Sequence, residues 1–515
     1  MTEYSIRDRL AGATAASISS GSDEKLPKES LPTEYMSLGE VTQWDDEADL
    51  VVVGYGGAGV CAALEAALSG ADVLVLERAG GGGGTTAMST AHIYMGGGTR
   101  VQNAVGIEDS TEDMFRFVMA SADDPDEEKV RLFCDESVAL FDWLVELGVP
   151  FKDSIYPDRT PEQPNDDCLI WSGNEKAHPF REIARPAARG HKVQAMAEGG
   201  PVLFRILSEH AAEAGVRVQC DTRVLNLVIR PEDGRVCGVV ALQDQKKRFI
   251  RARRGVILCA GGFVMNGDML RNHIPSLLEQ NVSPVGNMYD DGAGIRMGMS
   301  ARGASVHMDE YFTTVVWYPP SSLTKGILVN EQGQRYINED SYHGRCAEHS
   351  KRQRRAFLIA DDEIFGYPES GLELIATENS IEDLEAALKI PEGMLQNTVA
   401  IYNRNAADGQ DPVYHKHADW LKPLDSPPYA AIECSYGIAP YLIFTLGGLK
   451  TRVSGEVVTE DGQDVPGLYA AGRNACGIPR SSWGYCSGTS VADALIFGRI
   501  AGRNAAGQAD WDRSK

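Results

Sequence analysis

The sequence predicts an α/β chain in which a second unit is inserted into the first, and three observations predict it. An apolar run, Leu50-Val51-Val52-Val53, leads straight into a glycine-rich turn and a helix of small residues. A second apolar run, Asp72-Val73-Leu74-Val75-Leu76, follows that helix. Strand, helix and strand in this order make a βαβ unit, whose strands are covered on both faces and so read as unbroken apolar runs. Glycine-rich sequence returns after Phe444 and ends in a helix near Ser490 to Ala505, while 304–440 has apolar content of its own. The chain therefore divides into a polar N-terminal extension, 1–45, a first domain built from 46–303 and 441–510, and an inserted α+β domain, 304–440.

The elements follow in order. A length of 515 residues exceeds one ordinary domain. The lead-in to about 45 is rich in Ser, Glu and Asp, and order is expected to begin at Asp49. Near its start, Arg7 and Arg9 precede Ala- and Ser-rich sequence with no continuous apolar stretch, which reads poorly as a signal peptide. A helix is expected around Ala58 to Leu68, and helical periodicity dominates Glu112 to Leu147. Residues 150–200, rich in Pro and polar side chains, read as long loops. Leu203 to Ala214 reads as a helix. Short strands follow at Arg217 to Gln219, Val224 to Ile229 and Val236 to Leu242, the last two separated by the turn Pro231-Glu232-Asp233-Gly234. Arg254 to Gly262 reads as another buried strand ending in small residues. No run of ~18 apolar residues occurs, so no transmembrane helix is expected.

Composition narrows the function classes. The net charge is −24, from 49 basic and 73 acidic residues. Nucleic acid is excluded as a partner, because phosphate binding needs a positive surface. The ten cysteines are scattered and no two stand at C-x-x-C spacing, which disfavours a zinc site or a c-type haem, and no metal is expected. Reduced thiols in a cytoplasmic protein are the simplest reading.

Gly54-Tyr55-Gly56-Gly57-Ala58-Gly59 fits G-x-G-x-x-G, directly after a strand and opening a helix. Alone the pattern is weak, but Glu77 ends the next strand, 18 residues after Gly59. Glycines let the backbone approach a pyrophosphate, the helix N-terminus favours its charge, and the acid holds a ribose hydroxyl. Three further segments choose between the dinucleotides. Gly80 to Gly84 with Thr85 and Thr86 forms a loop beside the phosphates, and Ala260-Gly261-Gly262 offers a second backbone approach. Pro466-Gly467-Leu468-Tyr469-Ala470-Ala471-Gly472 offers a third.

Together these segments resemble the dispersed FAD signature of the fumarate reductase and succinate dehydrogenase flavoprotein superfamily, over roughly 45 to 510. The resemblance implies a Rossmann-like FAD-binding domain with an inserted catalytic domain and the site between them. It places FAD against Gly54, Gly56, Ala58, Gly59, Glu77 and Arg78, then Thr85, Thr86, Ser89, Thr90 and Ala91. Val224, Ala260, Gly261, Gly472, Arg473, Ser490 and Val491 complete the set. The final helix, beginning near Gly488-Thr489-Ser490, is implied to aim its N-terminus at the flavin. Covalently flavinylated members carry a His just after the glycine-rich loop; none stands at Gly84 to Thr86, so non-covalent FAD is expected. His92 is offset and reads as a side chain lining the pocket or core.

Fumarate reductases grip a dicarboxylate with arginines. In the segment resembling theirs, Gly333 to Arg345, the catalytic arginine falls at about His343, and a second one falls near Tyr485, so both are absent. A doubly charged substrate loses its charge-assisted partners, and a neutral substrate is expected, although Arg345 stands close enough to shift into the gap. The chain instead resembles the 3-ketosteroid dehydrogenases, most closely the Δ4-(5α) type. The matching stretches include Met95 to Thr99, Val149 to Lys152, Arg189 to His191, Gly326 to Asn330, Phe444 to Leu449 and, most specific, Gly484-Tyr485-Cys486-Ser487-Gly488-Thr489-Ser490.

That resemblance implies that Tyr485, with the backbone N–H of Gly488, polarises a 3-keto oxygen. Ser487 then takes the C4 proton with Tyr342 as relay, and the C5 hydrogen leaves as a hydride to flavin N5. The product is a 4-ene-3-ketosteroid, and the partner is a small hydrophobic ketone with the electron acceptor unassigned. Each residue has a plainer alternative: Tyr342 as packing, Ser487 as a helix cap, Tyr485 as pocket lining. Departures from the family, Ser89-Thr90-Ala91-His92 and the aromatic residues Tyr311, Phe312, Trp317, Tyr318 and Trp483, are expected to narrow or reshape the steroid site. Two other functions remain open: an ene-reductase of the fumarate reductase kind, or a Δ1-dehydrogenase, on another cyclic ketone or enone, and a flavin-binding protein without turnover.

Overall fold

The structure is a computed structural model that describes residues 35–512. The expectations for residues 1–34, the signal-peptide reading among them, lie outside the described residues.

Among the described residues the largest sheet has nine strands. Its parallel centre forms where the sequence is most apolar. Asp46–Val53 lies between Val73–Leu76 and the end of Lys246–Leu258, with Leu50 to Val53 facing Gly255 to Leu258 on one side and Val73 to Leu76 on the other. Leu50, Val51 and Val52 are fully buried, as strands covered on both faces must be. Arg217–Gln219 extends the sheet beyond Val73–Leu76, and Leu468 to Ala470 pairs parallel with Val256 to Leu258. Lys246–Leu258 begins well before the expected Arg254. Its first half runs antiparallel to Arg235–Gln243, its register shifts between Ala252 and Gly255, and its second half joins the parallel centre.

Order starts before Asp49: Met36–Ser37 pairs with Val228 and Ile229 at the sheet edge, and Trp44 packs over Gly238. The helical stretch after Ser110 is three helices, Thr111–Ser121, Glu127–Asp135 and Ser137–Glu146. The side chains of Ser110 and Asp126 cap the first two. Residues 150–200 are not all loop. Leu169–Ile170 and Gly190–Lys192 join His92–Tyr94 in a small antiparallel sheet whose strands are too short to show a period of two.

Between the glycine-rich segments, Ile327–Asn330, Ala356–Asp361, Tyr429–Glu433 and Leu374–Glu378 form an antiparallel sheet of four, with helices Ile381–Leu388 and Met394–Ala407 close by in sequence. A separate three-stranded sheet joins Val282–Pro284, Tyr441–Thr445 and Tyr311–Thr314. The last of these strands carries Phe312 towards the site.

Helix Gly57–Leu68 and the final helix, Thr489–Ala506, touch backbone to backbone. A Cβ at Gly498 would stand 2.6 Å from the Ala58 carbonyl oxygen, and one at Gly502 would stand 2.1 Å from that of Ala62. Helix spacing is set by the side chains at the contact, so this glycine pair seats the final helix against the nucleotide-binding turn. All ten cysteines are free. No described helix is long and apolar enough to cross a membrane, and no described His/Cys/Asp/Glu group could hold a metal.

Candidate active site

The strand Asp46–Val53 ends where a cavity of about 300 Å³ opens. Gly54 makes the turn with φ +98°, and a Cβ there would stand 2.6 Å from the Cys259 carbonyl oxygen. The chain can take that path only without a side chain. Gly56 and Ala58 line the cavity, whereas Gly59 lies behind it, packed on the Gly54 carbonyl. Glu77 lines the cavity with its carboxylate already oriented: Oε2 accepts from the Tyr55 N–H at 2.7 Å and Oε1 from the Ala79 N–H at 2.8 Å.

The remaining expected cofactor residues come from five other segments. Arg78, Thr85, Thr86 and Ser89 line the cavity, as do Val224, Ala260 and Gly261. Gly472 and Arg473 line it, as do Ser490 and Val491 in the first turn of the final helix. Thr90 and Ala91 stand outside the lining. Thr90 is taken up with His92, whose Nδ1 meets the Thr90 hydroxyl at 3.1 Å and whose Nε2 meets Gln163 Oε1 at 2.6 Å. His92 is buried and outside the lining, a satisfied core side chain, and burial pushes its pKa down to about 4.

One lining segment escaped the sequence reading. Asn287, Tyr289, Asp290 and Asp291 form part of the cavity wall. Asp290 is buried and accepts from the Thr85 hydroxyl at 3.0 Å and from Arg473 Nη2 at 2.5 Å. Asp291 pairs with Arg78 at 2.6 Å, and Arg78 lies over the Tyr289 ring at 4.4 Å. Only the run Asp290-Asp291-Gly292-Ala293-Gly294 signalled it.

These groups suit a dinucleotide. Arg473 Nη1 is buried and has no protein partner, although its residue lines the cavity, so a donor is kept there at the cost of an unmade hydrogen bond. A carboxylate for a ribose, glycine backbone for a pyrophosphate and an 18-residue helix whose N-terminus opens on the cavity are all in place.

Beside this cavity lies a cluster of Phe312, Tyr342, Leu446 and Tyr485, with Phe444 against it. Tyr485 belongs to both, since it also lines the cavity. Phe312 stands 4.3 Å from the Tyr485 ring and 6.4 Å from that of Tyr342, measured between centroids. The Tyr342 and Ser487 hydroxyls meet at 3.0 Å, and the Tyr485 hydroxyl donates to Ser490 Oγ at 3.2 Å. Burial, then the neighbouring Tyr485, push the Tyr342 phenol well above its usual range. Burial likewise raises Tyr485. Both are therefore neutral hydroxyls.

The backbones of this pair are fixed by one segment. The Tyr342 N–H donates to Asn174 Oδ1, and the Ser487 N–H donates to the Ser172 carbonyl, each at 2.8 Å. Neither Ser172 nor Asn174 was marked by sequence, because they fall in a stretch read as loop and act across long separations. Gly488 caps the final helix with φ +96°, and its carbonyl accepts from the Tyr94 N–H at 3.1 Å.

His343 and Arg345 supply no cation to the hydroxyl pair. His343 is buried, and burial followed by Arg159 pushes its pKa down to about 3. Arg345 is held between the rings of Phe180, at 4.9 Å, and Trp483, at 5.9 Å. Of the other aromatic residues marked in the sequence, Phe312 joins the hydroxyl cluster. Tyr311 bonds Tyr436 and Lys351, Trp317 packs on Tyr318, and Trp483 packs against His349.

Residues 49–486 match the model of the FAD binding domain family. The chain is 28% identical to the 3-oxo-5-alpha-steroid 4-dehydrogenase of Comamonas testosteroni, over 84% of this chain and 93% of that protein. It is 26% identical to the fumarate reductase (cytochrome) of Shewanella frigidimarina, over 90% of this chain and 77% of that protein. Among solved structures it resembles the 3-ketosteroid-Δ4-(5α)-dehydrogenase from Rhodococcus jostii RHA1 in complex with 4-androstene-3,17-dione. That likeness has a TM-score of 0.87 and 42% identity, covering 92% of this chain and 100% of that one.

Proposed function

This chain belongs to the FAD binding domain family and is an FAD-dependent oxidoreductase, and on that premise we propose that it introduces a C4–C5 double bond into 5α-3-ketosteroids, giving 4-ene-3-ketosteroids. The observation that carries the reading is the Tyr342–Ser487 hydroxyl contact, placed beside a tyrosine that also lines the cofactor cavity. The similarity to two steroid 4-dehydrogenases supports the choice of substrate.

The roles follow from the groups. Tyr485, a neutral phenol raised by burial, turns its proton from Ser490 Oγ to the 3-keto oxygen and donates there together with the N–H of Gly488. A polarised ketone acidifies the neighbouring C4 hydrogens, and a preorganised donor of this kind contributes about 3 kcal/mol to the transition state. Ser487 takes the C4 proton as its own proton passes to Tyr342, 3.0 Å away, and the neutral phenol releases its own proton towards solvent in the same movement. FAD bound in the cavity supplies the acceptor for the hydride that leaves C5. Phe312, Phe444 and Leu446 exclude water from the hydroxyls. Neutral His343 and the ring-held Arg345 suit an uncharged ketone better than a dicarboxylate.

Several further assignments belong to the same reading. FAD is held without a covalent bond, since His92 is occupied by Thr90 and Gln163. The catalytic unit is the insert at 304–440, set into an FAD-binding unit of 46–303 and 441–510. Ten free thiols fit a cytoplasmic location.

The test is anaerobic. The purified flavoprotein is mixed with 5α-androstane-3,17-dione and the visible flavin band is followed by stopped flow. Bleaching with formation of 4-androstene-3,17-dione is expected. A protein that carries FAD and is not bleached overturns the substrate assignment.

A further inference from the structure

The helix His343–Ser350 begins immediately after Tyr342, which is its N-cap. Its first residue is an imidazole only 5% exposed, tilted by 38° against the Tyr342 ring with centroids 3.9 Å apart. Phe312 and Tyr318 close around it at 6.3 and 6.1 Å. Nδ1 is hydrogen-bonded to the Thr314 hydroxyl, and Nε2 is buried with no protein partner.

This is an expensive way to fill the space. A phenyl ring would pack between the same neighbours without burying an unmade hydrogen bond, which is costly. What the imidazole adds is direction. Packing alone leaves a ring free to slide and tilt, whereas a hydrogen bond to a hydroxyl on a strand fixes its plane. Thr314 lies on Tyr311–Thr314, two residues from Phe312, so both side chains leave the same face of that strand. One rigid strand thus sets the two rings, Phe312 and His343, that border Tyr342. Leu446 and Tyr485 share its cluster, and hydrogen bonds hold its ends, the backbone N–H on Asn174 and the hydroxyl on Ser487.

We infer that Thr314 and His343 act as a positioning pair that holds the Tyr342 ring so that its hydroxyl stays on Ser487 while the C4 proton moves. This inference rests on the dehydrogenase reading above. A misdirected relay slows proton transfer without weakening binding, because reaction needs near-contact geometry whereas a hydrophobic ketone is held by area.

The experiment uses the holoenzyme with four changes: Thr314→Val, Thr314→Ser, His343→Phe, and the Thr314→Val/His343→Phe double variant. Three quantities are read: the rate of flavin reduction by 5α-androstane-3,17-dione, the Kd of 4-androstene-3,17-dione from its perturbation of the flavin band, and the melting temperature. Thr314→Val and His343→Phe are each expected to slow reduction by about 10- to 100-fold, with the product Kd changed less than about twofold. Thr314→Ser keeps the hydroxyl and is expected to keep the rate. The double variant is expected to be no slower than the slower single one, since both remove the same bond. Should His343→Phe fail to fold, the Val and Ser variants of Thr314 decide alone. Thr314→Val at the wild-type rate, Thr314→Ser as slow as Thr314→Val, or losses that multiply in the double variant would each overturn the inference. A wild-type flavin that the ketone leaves unbleached overturns the dehydrogenase reading instead, and this inference with it.

Discussion

Tyr342 and Ser487, 145 residues apart in the chain, bring their hydroxyls to 3.0 Å, and the Ser172–Asn174 segment grips the backbone of both. A serine hydroxyl is a weak base on its own. Next to a buried phenol it can lose its proton as it gains one, so the two act as a unit. Tyr342→Phe and Ser487→Ala are each expected to slow flavin reduction by about 10²- to 10⁴-fold, and the double variant by little more than either. Tyr485→Phe, which removes the donor to the ketone, is expected to cost about 10²- to 10³-fold. Stopped-flow reduction under anaerobic conditions measures all four. Multiplying losses would show that the two hydroxyls work separately.

The cofactor cavity makes a second prediction. Arg473 ties Asp290 and Thr85 together and keeps Nη1 free. Arg473→Met removes that donor and leaves Asp290 buried with the Thr85 hydroxyl but no cation, a loss on the order of 3 kcal/mol in stability. Glu77→Gln sets an amide N–H against one of the two backbone N–H groups that now converge on the carboxylate. Both variants are expected to purify with less flavin per protein and to bind added FAD at least about tenfold more weakly, given about 1.4 kcal/mol per tenfold change. Fluorescence quenching of free FAD titrated with apoprotein reads the affinity. Wild-type affinity in both would remove these residues from the cofactor site.

Buried histidines fix the sign of a pH effect. Burial pushes His92 and His191 down to about 4 and His343 to about 3. His349 is lowered to about 4, by burial and then by Arg345 and Arg352. Their folded values lie below the unfolded value of about 6.5, so the unfolded chain takes up protons first. Their stabilisation is complete above about pH 6.5 and is lost as the pH falls towards 4, at about 1.4 kcal/mol per pH unit for each group. Three carboxyls oppose this. Burial, then Glu348, raise Glu310 to about 7, burial raises Asp493 to about 6, and burial raises Glu175. The folded state holds their protons more tightly, so they favour folding as the pH drops. These four histidines, with His307 lowered as well, outnumber the three carboxyls and leave a net loss on acidification from pH 6 to 4.5. Urea midpoints across that range are expected to fall. His191→Asn, by removing one of the four, is expected to make the fall shallower.

Local spacing carried the parts of this molecule that local geometry enforces. Gly54, Glu77 and Gly261 were legible because a turn, a strand end and a backbone approach each demand a particular residue at a particular distance along the chain. Tyr485, Ser487 and Gly488 were legible through a short segment with a family resemblance. Asp290, Ser172, Asn174 and Thr314 were not. Each acts on a partner far away in sequence: Asp290 on Arg473 over 183 residues, and Asn174 on Tyr342 over 168. Such contacts leave no periodicity to read. The first half of Lys246–Leu258 was hidden differently, because its alternating Arg and apolar residues belong to the half-exposed arm of the sheet, unlike the apolar run that follows. Arg345 marks the limit of spacing arguments: two residues along the helix from the expected place, it faces Phe180 and Trp483 rather than the relay.

Gly488 offers the sharpest separation of strain from function. It sits at φ +96°, and a Cβ there would stand 2.7 Å from the Tyr94 nitrogen, whose N–H donates to the Gly488 carbonyl. Alanine in this backbone region costs about 1–2 kcal/mol before any clash, and neither neighbour can yield, since both contacts are main chain. The strain must pass into Ser487 on one side and into Ser490 and Val491 on the other, which line the cofactor cavity. Gly488→Ala is therefore expected to lower the urea midpoint, weaken FAD binding and slow flavin reduction together. Gly507, at the far end of the same helix, has φ −74° and its nearest atom at 3.5 Å, so Gly507→Ala is expected to leave all three unchanged. If Gly488→Ala loses stability but reduces its flavin at the wild-type rate, the strain is absorbed without reaching Ser487 or the donors to the ketone, and the Gly488 conformation serves the fold alone.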